Sequence, residues 1–131
     1  MARPPKLAAA LALLAALSFT ACGNDGSDQA SAPVGAGDPE AGEQVYGDFC
    51  GACHGRDFEG SVQGPSHLDP HFEPATTSDE DYRNAIRNGV DQSAFDFGPM
   101  PAIRSLDDQQ IADVIAYIRS VQQERGFEPS P

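Results

Sequence analysis

Apolar residues recur at helical spacing in three stretches of the chain, and no alternating pattern typical of β-strands competes with them. The stretch nearest the C-terminus is the longest and consists of Ile111, Val114, Ile115, Ile118 and Val121. It predicts an amphipathic helix with Ser105 as its N-cap and Gly126 at its end. The hydrophobic pattern therefore indicates an all-α protein.

Two shorter helices are predicted upstream. Asp38 and Pro39 are typical of a helix start, so the first helix is expected from about Pro39 to Asp48. Its apolar face is expected to consist of Ala41, Val45 and Phe49, with Gly42 and Tyr46 beside them. Ser78 predicts the N-cap of the second helix, and Gly89 predicts its end. The buried stripe of this second helix is expected to consist of Tyr82, Ala85 and Ile86.

The segments between these helices, 51–77 and 90–104, are long loops that contain many Gly and Pro residues. Loops longer than about 12–15 residues are uncommon in compact domains unless they carry function. Three short helices in about 94 residues also supply little hydrophobic core. We therefore expect a group other than side chains to fill the centre of the domain.

Residues 1–21 are predicted to be a secretion signal, because Arg3 and Lys6 precede an apolar run of 13 residues. That run is too short to cross a bilayer, which takes about 20 residues. The residues around Cys22 resemble the cleavage box of bacterial lipoproteins, although Phe19 stands where such boxes usually carry Leu. Cys22 would then become the lipid-anchored first residue. Ordinary cleavage, which leaves Cys22 as a free thiol, is the alternative.

The processed chain is expected to have three parts. Small and polar residues at 22–37 predict a flexible tether, since such a stretch buries too little apolar surface to fold. The folded domain is expected at 38–127 and a C-terminal tail at 128–131. With a lipid at Cys22, the domain would be held on the periplasmic side of a bacterial membrane. With ordinary cleavage it would be a soluble periplasmic protein.

The chain is strongly acidic, with 20 Asp and Glu against 8 Lys and Arg and a net charge of −12. This composition argues against nucleic-acid binding, which needs clustered basic residues. Removal of the signal takes away Arg3 and Lys6, which leaves six Arg, no Lys and a net charge of −14. Such a surface favours partners with basic docking patches.

Cys50, Cys53 and His54 form the sequence Cys-x-x-Cys-His, the attachment motif of haem c. Two intervening residues put both sulfur atoms on one side of a single helical turn, where they can add across the haem vinyl groups. The adjacent His54 is then placed to bind the iron. A thioredoxin-type dithiol is disfavoured by the missing βαβ pattern, and a zinc site would need a second Cys/His pair. The motif predicts one covalently bound haem c.

With this motif, the chain resembles the class I c-type cytochromes across roughly residues 38–125. The resemblance implies a cytochrome c-like fold, in which three to four short helices and long loops wrap around a covalently bound haem. In that family a glycine and an aromatic residue, eight and four positions before the first haem cysteine, cross the C-terminal helix. Here these are Gly42 and Tyr46, and the crossing point on the C-terminal helix is Val114 and Tyr117. Both tyrosines are expected to pack near the haem or behind its ligands.

The resemblance also implies the remaining iron ligand. Met100, in a proline-flanked loop before the last helix, resembles the family's axial methionine, a soft ligand that favours reduced iron. The segment 64–68 resembles the family's Gly-Pro-x-Leu pattern with one residue inserted. The Pro65 carbonyl would then accept the ring proton of His54, and Leu68 would cover the haem edge.

Two histidines and four arginines leave alternatives open. His67 or His71 could supply an iron ligand in place of Met100, or could lie at the surface or near the haem propionates. The candidates to neutralise the propionates are Arg56, Arg83, Arg87 and Arg104. Arginines in so acidic a chain usually pair with carboxylates, so the sequence does not choose among them.

The resemblance implies a single-electron carrier and not an enzyme, since an iron held by both His54 and Met100 leaves no open site for a substrate. We expect a monomer whose partners are redox proteins of respiratory or dehydrogenase systems. One alternative is a haem c subunit dedicated to a single dehydrogenase or oxidase complex. Another is a haem sensor or peroxidase with a labile distal ligand.

Overall fold

The computed structural model describes residues 36–91 and 95–127. The predicted signal at 1–21, Cys22, most of the predicted tether and the predicted tail at 128–131 lie outside the described residues. In the described part, the elements are α1 (Pro39–Phe49), α2 (Gly51–His54), a 3₁₀ turn (Pro70–Phe72), α3 (Asp79–Asn88) and α4 (Asp108–Glu124). No strand occurs in these ranges, which confirms the all-α class. None of these helices has the length and apolar character needed to cross a membrane.

α1 begins where the sequence predicts. The Asp38 side chain accepts a hydrogen bond of 2.9 Å from the backbone N–H of Glu40, and Pro39 occupies the first helical position. The predicted apolar face is confirmed at Val45 and wrong at Ala41 and Phe49, which are exposed. The other buried residues of α1 are Gly42 and Tyr46, the pair expected to cross the C-terminal helix. The buried face of α1 is therefore centred on Gly42, Val45 and Tyr46.

α1 crosses α4 at this glycine, where the two backbones are in close contact. A Cβ atom at Gly42 would lie 2.0 Å from the carbonyl oxygen of Asp113 and 2.8 Å from the Cβ of Tyr117, so only glycine fits. Gly37 packs as closely, since a Cβ built there would lie 2.1 Å from the carbonyl oxygen of Ala112. The packed structure thus includes the last residue of the predicted tether.

The N-terminus of α4 differs from the prediction. Its N-cap is Asp107 and not Ser105, so the helix begins at Asp108. Asp107 accepts a hydrogen bond of 2.8 Å from the backbone N–H of Gln110, whose side chain accepts one of 3.0 Å from the backbone N–H of Asp107. This reciprocal pair satisfies two N–H groups at once, which explains why Asp107 is the N-cap and the helix begins at Asp108.

An aromatic layer joins α1 and α4 to the loop after α2. Tyr46 stacks on Phe58 with ring centroids 4.2 Å apart, and Tyr117 meets these two rings edge-on at 5.8 and 5.4 Å. Phe58 adopts a left-handed backbone with φ of 70°, which is uncommon for a residue other than glycine. The Tyr46 hydroxyl donates a hydrogen bond of 2.9 Å to the carbonyl of Gly55. This hydrogen bond joins the aromatic layer to Gly55, the C-cap of α2, so the layer supports that short helix.

Candidate functional site

A cavity of about 480 Å³ lies between α2, α3 and the long loops. Its walls are formed by some of the residues in segments 49–54, 63–77, 81–90 and 95–103, together with Ile118 of α4. Most of these side chains are apolar, and cofactor sites typically measure about 300–1,000 Å³. The structure thus contains the central space that the long loops and the small core predict.

The two cysteines of the Cys-x-x-Cys-His sequence lie on the cavity wall, one helical turn apart. Cys50 is buried, Cys53 is half-buried, and both thiols are free. Burial, and next the neighbouring Cys53, raise the pKa of Cys50 to about 12, so this side chain is a neutral thiol at pH 7. Among the described residues, no group of three His, Cys, Asp or Glu side chains is placed to hold a metal ion.

His54 ends α2 and is oriented by the loop below it. Its ring nitrogen Nδ1 lies 3.0 Å from the carbonyl oxygen of Pro65, so Nδ1 carries the proton and donates. Burial lowers the pKa of His54, and the hydrogen bond to Pro65 opposes this shift. The ring is therefore neutral at pH 7, and Nε2 keeps a free electron pair. This is the state that a metal-binding imidazole needs.

The chain after Pro65 departs from the expected register. His67, and not Leu68, lines the cavity, and it is only 5% exposed. Leu68 packs against the core cluster instead. Because His67 lies three positions after Gly64, it takes the last place of the Gly-Pro-x-Leu pattern without any inserted residue. A polar ring therefore stands where the resemblance implies a leucine.

The ring of His67 lies face to face with that of His54, with centroids 4.3 Å apart and an interplanar angle of 26°. Two imidazoles that bind one iron from opposite sides point their nitrogens at each other, with ring centres roughly 6 Å apart for metal–nitrogen distances of about 2 Å. His67 does not have this geometry. His71, the other alternative ligand, is exposed at the cavity edge, where its ring contacts Phe72 at 5.3 Å and Phe95 at 5.4 Å.

His67 is held by polar groups that the hydrophobic pattern does not reveal. Its Nδ1 lies 3.2 Å from the hydroxyl oxygen of Tyr82. Gln122, with no exposed surface, donates from its amide nitrogen to the carbonyls of His67 at 2.8 Å and Phe72 at 3.0 Å. Burial lowers the pKa of His67 well below its ordinary value and raises the pKa of Tyr82, so both are neutral at pH 7.

Arg119 completes this buried network and is 7% exposed. It donates to the side-chain oxygen of Gln122 at 2.7 Å, to the carboxylate of Asp79 at 2.8 Å and to the backbone carbonyl of Thr77. Sequence reasoning missed Arg119 and Gln122. Their spacing could have indicated that they are buried, because both residues lie on the face of α4 that also contains the buried Ile118.

Met100 lines the same cavity as His54, and its backbone is fixed by the end of α3. Val90 and Met100 exchange two backbone hydrogen bonds of 2.9 Å each, which form an isolated antiparallel bridge. Gly89, which ends α3 as predicted, has a φ of 75° and lies against the Met100 carbonyl. The thioether thus belongs to a loop with a defined position relative to the cavity.

The two tyrosines and the four arginines singled out from the sequence are outside the cavity wall. Tyr46 and Tyr117 do not line it but form the aromatic layer behind α2. The four candidate arginines do not line the cavity either; these are Arg56, Arg83, Arg87 and Arg104. Arg83 pairs with Glu80 at 3.3 Å, and Arg87 pairs with Asp108.

These observations together fit a covalently bound haem. Two thiols one helical turn apart, an imidazole with its Nδ1 proton engaged and a thioether all face one apolar cavity of suitable size. Cys50 and Cys53 would form the covalent bonds, and His54 and Met100 would supply nitrogen and sulfur to the iron. Pro65 lines the cavity as well and orients His54.

Comparison with known proteins agrees with this chemistry. The family model described as cytochrome c matches residues 39–122. The chain is similar to the c-type cytochrome XoxG from Methylobacterium extorquens AM1, with a TM-score of 0.52, 22% sequence identity and coverage of 71% of this chain and 56% of that one. It is also similar to a chain of the reducing HAO-like protein complex of Kuenenia stuttgartiensis, with a TM-score of 0.51, 25% identity and coverage of 76% and 50%. The chain thus spans only about half the length of these two structures. No curated protein matches it.

Proposed function

Because the chain belongs to the cytochrome c family, we propose that it is a single-electron carrier with one haem c, attached at Cys50 and Cys53 and ligated by His54 and Met100. The observation that carries this proposal is the shared cavity wall, on which both thiols, the oriented imidazole and the thioether meet. When bound, haem supplies a one-electron change between ferric and ferrous iron.

The residues around the cavity have separate tasks in this proposal. Cys50 and Cys53 hold the group in one orientation, while the Pro65 carbonyl keeps the His54 ring in the tautomer that binds through Nε2. Met100 is held by the Val90 bridge, so little loop entropy is lost on ligation. If His54 and Met100 both bind the iron, no coordination position is left for a substrate. This favours an electron carrier over a peroxidase or a sensor.

Charge supports the choice of partner. The processed chain would carry −14, so association with a redox protein that presents a basic patch should be fast at low salt. Surface charges are screened within about 8 Å at physiological ionic strength. We therefore expect the rate of electron exchange with such a partner to fall as salt is added.

We further propose that the protein is exported and held by a lipid at Cys22 on the periplasmic side of a bacterial membrane. The sequence of residues 1–23 supports this, as does the small and polar composition up to residue 35.

A second candidate function is that of a haem c subunit dedicated to one enzyme complex. The similarity to a chain of a protein complex favours it.

A spectroelectrochemical titration of the purified holoprotein tests the carrier proposal. One haem per chain with thioether bonds, a low-spin ferric form at neutral pH and a sulfur–iron charge-transfer band are the expected results. A high-spin ferric form at neutral pH would contradict the proposed ligands and favour the sensor or peroxidase. Co-purification with one enzyme in fixed stoichiometry would favour the dedicated subunit.

A further inference from the structure

Hydrogen-bond chemistry fixes the orientation of the buried Gln122 amide. The guanidinium of Arg119 can only donate, so the atom of Gln122 at 2.7 Å from it must be the oxygen. The other end of the amide lies 2.8 and 3.0 Å from the carbonyls of His67 and Phe72, which can only accept. Gln122 therefore presents N–H groups toward His67 and Tyr82.

This orientation decides where the Tyr82 proton goes. The Tyr82 hydroxyl oxygen lies 3.4 Å from the Gln122 amide nitrogen, which is a donor, and 3.2 Å from Nδ1 of His67. Arg119 stands over the Tyr82 ring at 4.9 Å and offers no acceptor. Among the described residues, Nδ1 of His67 is the one acceptor within reach of this hydroxyl. Tyr82 thus donates to Nδ1, and the neutral His67 ring carries its proton on Nε2.

The protonated nitrogen of His67, Nε2, faces the cavity. His67 lines the cavity, and no buried side-chain polar atom of the described residues lacks a hydrogen-bond partner. Nε2 has no protein partner in the described part of the chain and so is not sealed within the protein. Its N–H dipole therefore has the positive end toward the cavity, beside the ring of His54 at 4.3 Å.

We propose that His67 is a positioning residue for His54, fixed by the chain Arg119–Gln122–Tyr82 with its Nε2–H toward the cavity and its ring face against the His54 ring. The inference rests on the proposed haem ligation by His54. Two effects follow from it. The flat face of His67 limits rotation of the His54 ring, and the N–H dipole disfavours the extra positive charge of ferric iron, which raises the reduction potential.

The tautomer can be measured without any substitution. In the ferrous holoprotein, ¹⁵N NMR distinguishes a protonated from an unprotonated ring nitrogen. We expect a protonated Nε2 and an unprotonated Nδ1 for His67, the reverse of the pattern at His54, where Nδ1 donates to Pro65. A proton on Nδ1 of His67 would overturn the proposal.

A double-mutant cycle tests the effect on the iron. Tyr82→Phe removes the donor and should lower the reduction potential, because His67 can then take the other tautomer. His67→Leu should alter the pattern of paramagnetically shifted haem methyl resonances in the ferric protein, which depends on the orientation of the axial histidine. In the His67→Leu background, Tyr82→Phe should no longer lower the potential. A drop of equal size in both backgrounds, or no drop in either, would contradict the mechanism.

The matched control is Ser120→Ala, which removes a hydroxyl of α4 that donates to the Tyr117 carbonyl at 2.8 Å, away from the cavity. It should leave the potential and the methyl pattern unchanged. The haem-to-chain ratio is recorded for every protein. A wild-type chain without covalent haem would contradict the proposed function. Unaltered potentials in variants that carry haem would contradict only the role of His67.

Discussion

Val90 and Met100 exchange two backbone hydrogen bonds of 2.9 Å where the chain leaves α3. Three residues later, Ile103 donates its backbone N–H to the carbonyl of Ile86 at 2.8 Å. The loop that carries the proposed sulfur ligand is thus joined to α3 at two places. These backbone bonds fix the position of the loop relative to the end of that helix.

Gly89→Ala should disturb this junction. At φ of 75° an L-residue loses about 1–2 kcal/mol, and the added Cβ would lie 2.6 Å from the Met100 carbonyl oxygen. We expect a weaker sulfur–iron charge-transfer band in the visible spectrum and a lower midpoint of thermal unfolding. Gly126→Ala is the matched control, because Gly126 has a φ of 94° with nothing within 4 Å of the added Cβ. An unchanged band in Gly89→Ala would mean that the bridge does not position Met100.

Met100→Ala should abolish the sulfur–iron band and lower the reduction potential, since a thioether stabilises ferrous iron. A redox titration followed by visible spectroscopy measures both effects. His71→Ala should keep the band, because His71 is exposed at the cavity edge. Absence of the band from the wild-type protein, or its survival in Met100→Ala, would contradict the assignment of Met100 as the sixth ligand.

Gly42→Ala should weaken the packing of α1 on α4. The added Cβ would lie 2.0 Å from the Asp113 carbonyl oxygen, and overpacking of this kind costs about 1–3 kcal/mol. Denaturant unfolding of the holoprotein measures the loss. Gly47→Ala, in the same helix, is the control, since its nearest neighbour would be 3.8 Å away. It should be neutral or stabilise by up to about 1 kcal/mol. Equal effects of the two changes would contradict the close crossing.

The Ser78–Asp81 capping box predicts a pH dependence of stability. Hydrogen bonds from the Ser78 side chain and backbone hold the pKa of Asp81 below its ordinary value of 3.8. Because the pKa of Asp81 is lower in the folded than in the unfolded protein, its ionised carboxylate stabilises the fold at pH values above 3.8. This contribution is lost as the pH falls through the pKa that Asp81 has in the folded protein. Asp81→Asn should therefore lower the unfolding midpoint at pH 7, and this difference should shrink as the pH falls below 3.8. Glu73→Gln, an exposed change outside the helices, is the control for the loss of one carboxylate charge.

Cys22→Ser should release the protein from the membrane fraction, because the proposed lipid attaches to this thiol. Fractionation of cells followed by mass spectrometry of the N-terminus measures the outcome. The haem content should not change, since Cys50 and Cys53 are untouched. A wild-type chain found only in the soluble fraction would favour ordinary cleavage.

Sequence reasoning performed best where a feature depends on neighbours a few positions away. The caps at Asp38 and Ser78 and the end of α3 at Gly89 follow from local hydrogen bonding, and all three are confirmed. It failed where two local solutions compete. Ser105 and Asp107 are both good N-caps, and the reciprocal bonds with Gln110 favour Asp107.

The sequence by itself determined the helical class, the single turn that places two thiols beside His54, and the loop lengths that require a central cavity. These depend on covalent spacing and on the helical period. The tertiary structure alone decided that Ala41 and Phe49 of α1 are exposed, and that His67 and not Leu68 lines the cavity. His67 is held by Tyr82, 15 positions away, and by Gln122, 55 positions away. No local pattern encodes contacts of that separation, because they form only when α3 and α4 pack around the loop.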